Sequence, residues 1–82
     1  MDFTNLMANK KLTIREVLKK LDLNAMGTVI VVDDNNKLLG TITDGDIRRA
    51  LLRGMTIDDK ITDIYNKDCF FFVQLQLVQN YI

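Results

Sequence analysis

Two carboxylates, two hydroxyls and two glycines fall within seven consecutive positions: Gly40, Thr41, Ile42, Thr43, Asp44, Gly45 and Asp46. A carboxylate accepts two hydroxyl hydrogen bonds at once, and its charge strengthens both. Thr43 stands where a helix would begin. The free N–H groups of a helix start, together with its dipole, favour an anion. The same spacing has a second meaning. Thr43 with Asp46 is a variant of the capping box, in which the two side chains satisfy each other's backbone groups. Thr13 with Glu16 repeats the arrangement upstream with nothing else to mark a site. The two roles are compatible, because Thr43 can cap the helix while a site beside it is empty.

The charges nearby narrow the chemistry. Asp44 and Asp46 bring two negative charges into one helical turn, which opposes a polyphosphate unless a cation compensates. Arg48, Arg49, Lys11 or a residue of a partner chain is available for that; without one, the expected ligand is a nucleoside or monophosphate rather than ATP. The Arg48, Arg49 and Arg53 set also reads simply as a solvated helix face. Asp33 and Asp34 form a second acidic pair at the other end of the hairpin. About seven residues at about 3.3 Å each, near 20 Å in all, separate the pairs, too far to share a metal ion. No nucleophile stands beside a base, so no enzymatic activity is expected in this chain.

Helices and strands must hold these groups in place. In Leu12–Asp22, Thr13 and Glu16 open a helix, Leu12 can staple onto Val17, and Ile14, Val17, Leu18 and Leu21 form one apolar stripe. Thr28–Asp33 and Lys37–Thr43 read as two strands of a hairpin turning at Asn35-Asn36, residues that tolerate positive φ. Facing residues then sum to 71, which sets Thr28 opposite Thr43. Asn24, Ala25, Met26, Gly27 and Thr28 fall beside Thr43, where Met26 and Val29 could flank a flat base and backbone groups could read its edge. The second helix starts at Thr43, staples Ile42 onto Ile47, buries Ile47, Ala50 and Leu51, and stops at Gly54. Phe3–Met7 reads as a short strand or irregular lead-in, and Ile61–Asn66 as a short helix.

The tail from Cys69 reads as a strand in which Val73, Leu75 and Leu77 alternate with glutamines. Cys69 is expected to be a buried, inert thiol, and Phe70-Phe71-Phe72 core or dimer interface rather than a stacking platform for nucleic acid. Val29-Ile30-Val31-Val32 is apolar on both faces. Helices can cover one face; the other calls for a second unit.

The whole chain sets the outer limits. Eighty-two residues make one small domain, and 48% apolar residues suffice for a core. Eleven basic residues balance eleven acidic ones, which removes the usual electrostatic case for nucleic acid or an anionic membrane. There is no His and one Cys, so a Cys/His zinc site, a His-based triad and an intrachain disulfide are excluded. With no apolar run of transmembrane length and no secretory pattern at the N-terminus, a cytoplasmic location is expected.

Residues 13–54, and above all "GTVIVVDDNNKLLGTITDGDIRRALLRG", resemble the cystathionine-β-synthase (CBS) domain family. Its pattern is a β-α-β-β-α unit with G-φ-φ-[ST]-x-x-D at the second-strand-to-helix junction, here Gly40 to Asp46. The resemblance implies an α/β (α+β) fold, with a CBS motif, lead-in and connector over residues 1–68 and an atypical tail over 69–82. It further implies that "ITDIYNKD" starts a second copy and that two chains pair as a homodimer. Asp46 would take ribose hydroxyls and Thr43 would lie near phosphate, with Gly40, Thr41, Ile42, Met26, Gly27 and Thr28 around the ligand. AMP, ADP, ATP or S-adenosylmethionine is the implied regulatory ligand. More narrowly, the stretch is similar to the CBS pair ahead of bacterial sugar-nucleotide nucleotidyltransferases, which implies a regulatory role toward such an enzyme in cis or in trans. A ligand-free structural dimerisation unit, or a truncated remnant of a larger nucleotidyltransferase, is the alternative.

Overall fold

A computed structural model describes residues 4–67; the expectations for Cys69, the Phe70–Phe72 run and the tail lie outside them. The elements run as a 3-10 turn (Thr4–Leu6), β1 (Met7–Asn9), α1 (Ile14–Asn24), β2 (Thr28–Val32), β3 (Leu38–Thr43), α2 (Asp44–Leu52) and a second 3-10 turn (Ile61–Asp63). The strands form one sheet in the order β1-β2-β3, parallel between β1 and β2 and antiparallel between β2 and β3. This is the expected mixed α/β unit.

Both helices start on the capping boxes that the sequence displays. Thr13 accepts from the Glu16 N–H and the Glu16 carboxylate accepts from the Thr13 N–H, and Thr43 with Asp46 makes the same reciprocal pair. Ile14, Val17 and Leu21 of α1 bury against Val29, Val31 and Ile42 of the hairpin, with Ala8, Ile47, Ala50 and Ile61 completing the cluster. Leu51, which the sequence assigns to the buried stripe of α2, is 36% exposed. Leu52 is exposed as well, so α2 buries a narrower stripe than its sequence offers.

Three boundaries differ from expectation, each for a visible reason. The opening strand starts at Met7, because Asn24 Nδ2 and Lys20 Nζ hold the Asn5 and Thr4 carbonyls and tie the lead-in to α1. The hairpin keeps the predicted register from Thr28↔Thr43 to Val31↔Gly40, then slips to Val32↔Leu38. There the Asp33 carboxylate accepts from the N–H groups of Asn35 and Lys37, and Asn36 alone takes positive φ, at 61°. This side-chain-closed loop replaces a simple two-residue turn and leaves Leu39 as the extra residue of a bulge. Finally, the segment predicted as helix over Ile61–Asn66 is helical only over Ile61–Asp63. Asn66 instead pairs with Thr41, donating to its carbonyl at 2.7 Å and accepting from its N–H at 3.0 Å.

The connector after α2 thus laces the molecule together. The Ile14 and Arg15 N–H groups, the first two of α1, donate to the carbonyls of Asp59 and Ile57, and Ile61 N–H donates to Leu12. Its far end closes on the edge of β3. The opposite face of the sheet carries Met7, Ile30, Val32 and Leu38 with Thr28, Thr41 and Thr43, as the register and strand alternation require. None of these four apolar residues belongs to the core cluster or packs against it.

Candidate functional site

The junction from β3 to α2 brings Thr43 and Asp46 together and sets the α1–β2 connector beside them. Ala25 closes α1 in the left-handed region at φ 56°, and Gly27 follows at φ 73°. Asn24 holds this corner, with Nδ2 on the carbonyls of Asn5 and Thr28 and Oδ1 accepting from Met26 N–H at 2.8 Å. Gly27 then accepts from Asp44 N–H at 3.3 Å. A Cβ on Gly27 would come within 3.9 Å of the Asp44 carboxylate. Met26 is 60% exposed above the corner. The sequence places Met26, Gly27 and Thr28 next to Thr43, and the structure agrees. Asn24, which the sequence also sets beside Thr43, fixes that wall through its hold on Asn5; Asn5 itself is missed, since nothing in the lead-in marks it.

Asp46 is half-buried, and both its oxygens are engaged. Oδ2 accepts from the N–H and the hydroxyl of Thr43, each at 3.0 Å. Oδ1 accepts from Arg49 Nη2 at 2.8 Å. Among the cations considered for this corner, Arg49 is therefore the one that reaches it. Lys11 is committed to Asp34 at the far end of the hairpin, at 2.9 Å, where Lys11 and Asn9 hold the Asp34 carboxyl below its ordinary range by direct hydrogen bonds.

Other predicted positions play different parts. Val29 is fully buried in the core, so it cannot flank a base as expected. Ile42 is likewise fully buried, and Thr41 is 4% exposed with both backbone groups given to Asn66. Gly40 is buried under the connector: the space where its Cβ would sit is taken by the Asn66 carbonyl oxygen. These three residues build the floor of the junction, while Thr43, Asp46, Met26, Gly27 and Thr28 form its rim. A hollow of about 460 Å³ between the helices, lined by Leu18, Leu21, Asp22, Ala25 and Asp44, touches the corner from the helix side. Among the described residues no acidic, Cys or His cluster is placed to hold a metal ion.

The two capping boxes are alike in sequence but not in surroundings. At α1 the first amides are consumed by the connector's carbonyls, whereas at α2 the first amide has only the longer bond to Gly27. The start of α2 is the more available of the two to a guest.

A small three-stranded sheet backed by two capped helices, with a Gly-to-Asp junction at the strand end, is the frame of one protein family. The family model for the CBS domain matches residues 4–53. The chain belongs to the CBS domain family.

Among curated proteins, an uncharacterized protein of Helicobacter pylori is 37% identical over 49 residues, covering 60% of this chain and 15% of its own length. The arabinose 5-phosphate isomerase KdsD of Pseudomonas aeruginosa is 42% identical over 50 residues, covering 55% and 15% respectively. The chain thus spans about 15% of the length of these relatives. Among solved structures, a cystathionine beta-synthase domain protein fused to a Zn-ribbon-like domain matches with TM-score 0.69 and 26% identity, over 78% of this chain and 93% of that one. A CBS domain pair in complex with 5-methylthioadenosine and S-adenosyl-L-methionine gives TM-score 0.68 at 24% identity, over 94% and 69%. A CBS domain protein from Pyrobaculum aerophilum complexed with AMP gives 0.69 at 21%, over 94% and 66%. These last two likenesses show a shared fold.

Proposed function

We propose that the chain is a regulatory unit that binds an adenosine-type nucleotide or nucleoside at the β3–α2 junction. The observation that carries this reading is the juxtaposition of Thr43 and Asp46 with the wall Met26–Thr28, of which Met26 is exposed. Two proteins of the same fold, named as complexes with AMP and with S-adenosyl-L-methionine, support it. Asp46 recognises the ribose hydroxyls, Thr43 and the start of α2 face the phosphate, and Met26 lies against the base. Gly40, Thr41 and Ile42 support this rim from beneath. The crevice is completed by a second unit seated on the sheet face bearing Met7 and Ile30, as a homodimer. Ligand touching both units favours one relative arrangement, which an associated enzyme senses by population shift. The chain itself is not the catalyst, and its setting is the cytoplasm.

That enzyme handles a phosphorylated sugar. The sequence pattern points to a sugar-nucleotide nucleotidyltransferase, and the match to an arabinose 5-phosphate isomerase favours a sugar-phosphate isomerase instead. A second reading, a ligand-free dimerisation unit, is favoured by one fact: both Asp46 oxygens are already bonded within the chain.

Thermal unfolding of the full chain with AMP, ADP, ATP and S-adenosylmethionine separates the readings. A ligand at a hundred times its Kd adds about 2.7 kcal/mol to native stability, and 1 kcal/mol moves the midpoint of a chain this size by roughly 4–8 °C. Asp46→Ala should lower the starting midpoint by removing the cap and should abolish the ligand-induced rise. No rise with any ligand at millimolar concentration, or an equal rise in Asp46→Ala, leaves the dimerisation unit as the answer.

A further inference from the structure

Gly45 stands in the first turn of α2 without a backbone reason to be glycine. The positive-φ glycines among the described residues are Gly27 and Gly54, and in a helix glycine is less stable than alanine by about 1 kcal/mol. Beside the point where a Cβ would stand lies the Arg49 guanidinium, with Nη1 at 3.2 Å and Nη2 at 3.5 Å, close enough that a methyl group would press on it. Arg49 folds back across Gly45 and places Nη2 at 2.8 Å from Asp46 Oδ1. Its side chain is 65% exposed, against 19% for Asp46, so the cation can leave for solvent while the carboxylate stays.

The acceptor count gives this contact a consequence. Asp46 Oδ2 already takes two donors from Thr43, which fills its lone pairs. Oδ1 holds Arg49 and has one lone pair left. A vicinal diol needs two acceptor positions, so it can be held in full only after Arg49 departs. A neutral nucleoside that displaces Arg49 returns hydroxyl hydrogen bonds to Asp46 but offers the guanidinium no anion in place of the one it leaves. A nucleoside 5′-monophosphate carries a dianion on the same sugar, and the released guanidinium can take it as a charge-assisted, forked partner.

We propose that Arg49, folded over Gly45 onto Asp46, is the specificity-determining residue of this site: it selects phosphorylated adenosine ligands over neutral ones by exchanging the Asp46 carboxylate for the ligand's phosphate. This rests on the reading of the β3–α2 junction as an adenosine site. It resolves the problem posed by two acidic residues in one turn, since the cation that shields Asp46 in the free chain becomes the phosphate ligand in the complex.

Calorimetric titration of the full chain with AMP and with adenosine tests it, using wild type, Arg49→Gln and Gly45→Ala. Wild type should prefer AMP. Arg49→Gln should cut the AMP-to-adenosine preference by about tenfold, the scale of one hydrogen bond to a charged group, with adenosine affinity equal to or above wild type. Gly45→Ala crowds the folded-back guanidinium but leaves Arg49 free to reach phosphate, so it should raise adenosine affinity and keep AMP binding. An unchanged preference in Arg49→Gln overturns the role of Arg49 and leaves the adenosine site standing. Wild type binding neither compound at millimolar concentration overturns the site and the role together. Circular dichroism of each variant, both at exposed or helix-compatible positions, confirms that folded protein is compared.

Discussion

A single missing methyl group shows how much one residue can decide in this small fold. At Gly40 a Cβ would land on the Asn66 carbonyl oxygen, and 3.0 Å from Tyr65 Cδ2. The obstacle is backbone, which cannot swing aside as the end of a side chain can. Gly40→Ala should therefore break the Thr41–Asn66 pairing and destabilise the chain by about 1–3 kcal/mol, the usual cost of overpacking. Urea unfolding reads the loss, and faster hydrogen exchange at the Thr41 and Asn66 amides locates it. A change within ±0.5 kcal/mol would show that the connector does not hold β3. From the sequence Gly40 reads only as the first position of a ligand-binding pattern; its packing partner lies beyond α2, at a distance no local spacing reveals. Thr43 and Asp46, by contrast, are legible because their mutual contact spans three residues. The engagement of Arg49 is only half legible: i,i+3 spacing permits the ion pair, but the sequence also offers Arg48, Lys11 or a partner's cation for the role, and the structure shows Arg49 lying over Gly45 onto Asp46.

At the scale of elements, what local chemistry dictates is found where the sequence puts it. Both capping boxes, the α1 stripe and the hairpin register up to Val31 follow from neighbours in the chain. The displaced first strand and the shortened last helix do not, because Asn24, Lys20 and Thr41 capture their backbone from afar. Two carboxylates staple these elements and carry a pH dependence. Glu16 sits below its ordinary 4.5 because the Thr13 N–H and then the Thr13 hydroxyl donate to it. Asp34 sits below 3.8 through Lys11 and Asn9, joining the hairpin loop to the segment after β1. In both, the folded chain holds the proton less tightly than the unfolded one. Their stabilisation is therefore complete above the unfolded values and is lost as pH falls through the lowered folded ones. The unfolding midpoint should fall on acidification below about pH 4.5, and a Glu16→Gln, Asp34→Asn double variant should flatten that part of the profile. Parallel curves for wild type and double variant between pH 5 and 2.5 would assign the acid sensitivity to other groups.

For the whole molecule, the decisive feature is that the sheet has two apolar faces. One lies in the common core, while on the other Val32 and Thr41 are buried and Met7, Ile30 and Leu38 stay half-buried outside that core. Val29 and Val31 are fully buried under the helices, while Ile30, between them, points to the other side with Met7 beside it and is half-buried. Fully burying an exposed isoleucine is worth about 1.5–3 kcal/mol. Ile30 is already half-buried, so a partner surface gains only the remaining part of this from Ile30 and needs Met7 and Leu38 beside it. The proposed homodimer uses this gain, and it also gives the Thr43–Asp46 rim its opposing wall. Sedimentation velocity of the full 82-residue chain should show reversible association, strengthened by AMP if the ligand bridges both units. Ile30→Lys should raise the dimer Kd by at least about tenfold, or 1.4 kcal/mol, because a charge brought into the interface must be desolvated. It should leave the fold intact, since Ile30 is outside the core cluster. The order of effects then matters. If Ile30→Lys abolishes both association and the AMP-induced midpoint rise, the crevice belongs to two chains. If it abolishes association and spares the rise, one chain binds the nucleotide alone and pairing serves only the enzyme it attends. A compact monomer at every concentration, with or without AMP, would leave the second face without its partner and remove pairing from the mechanism.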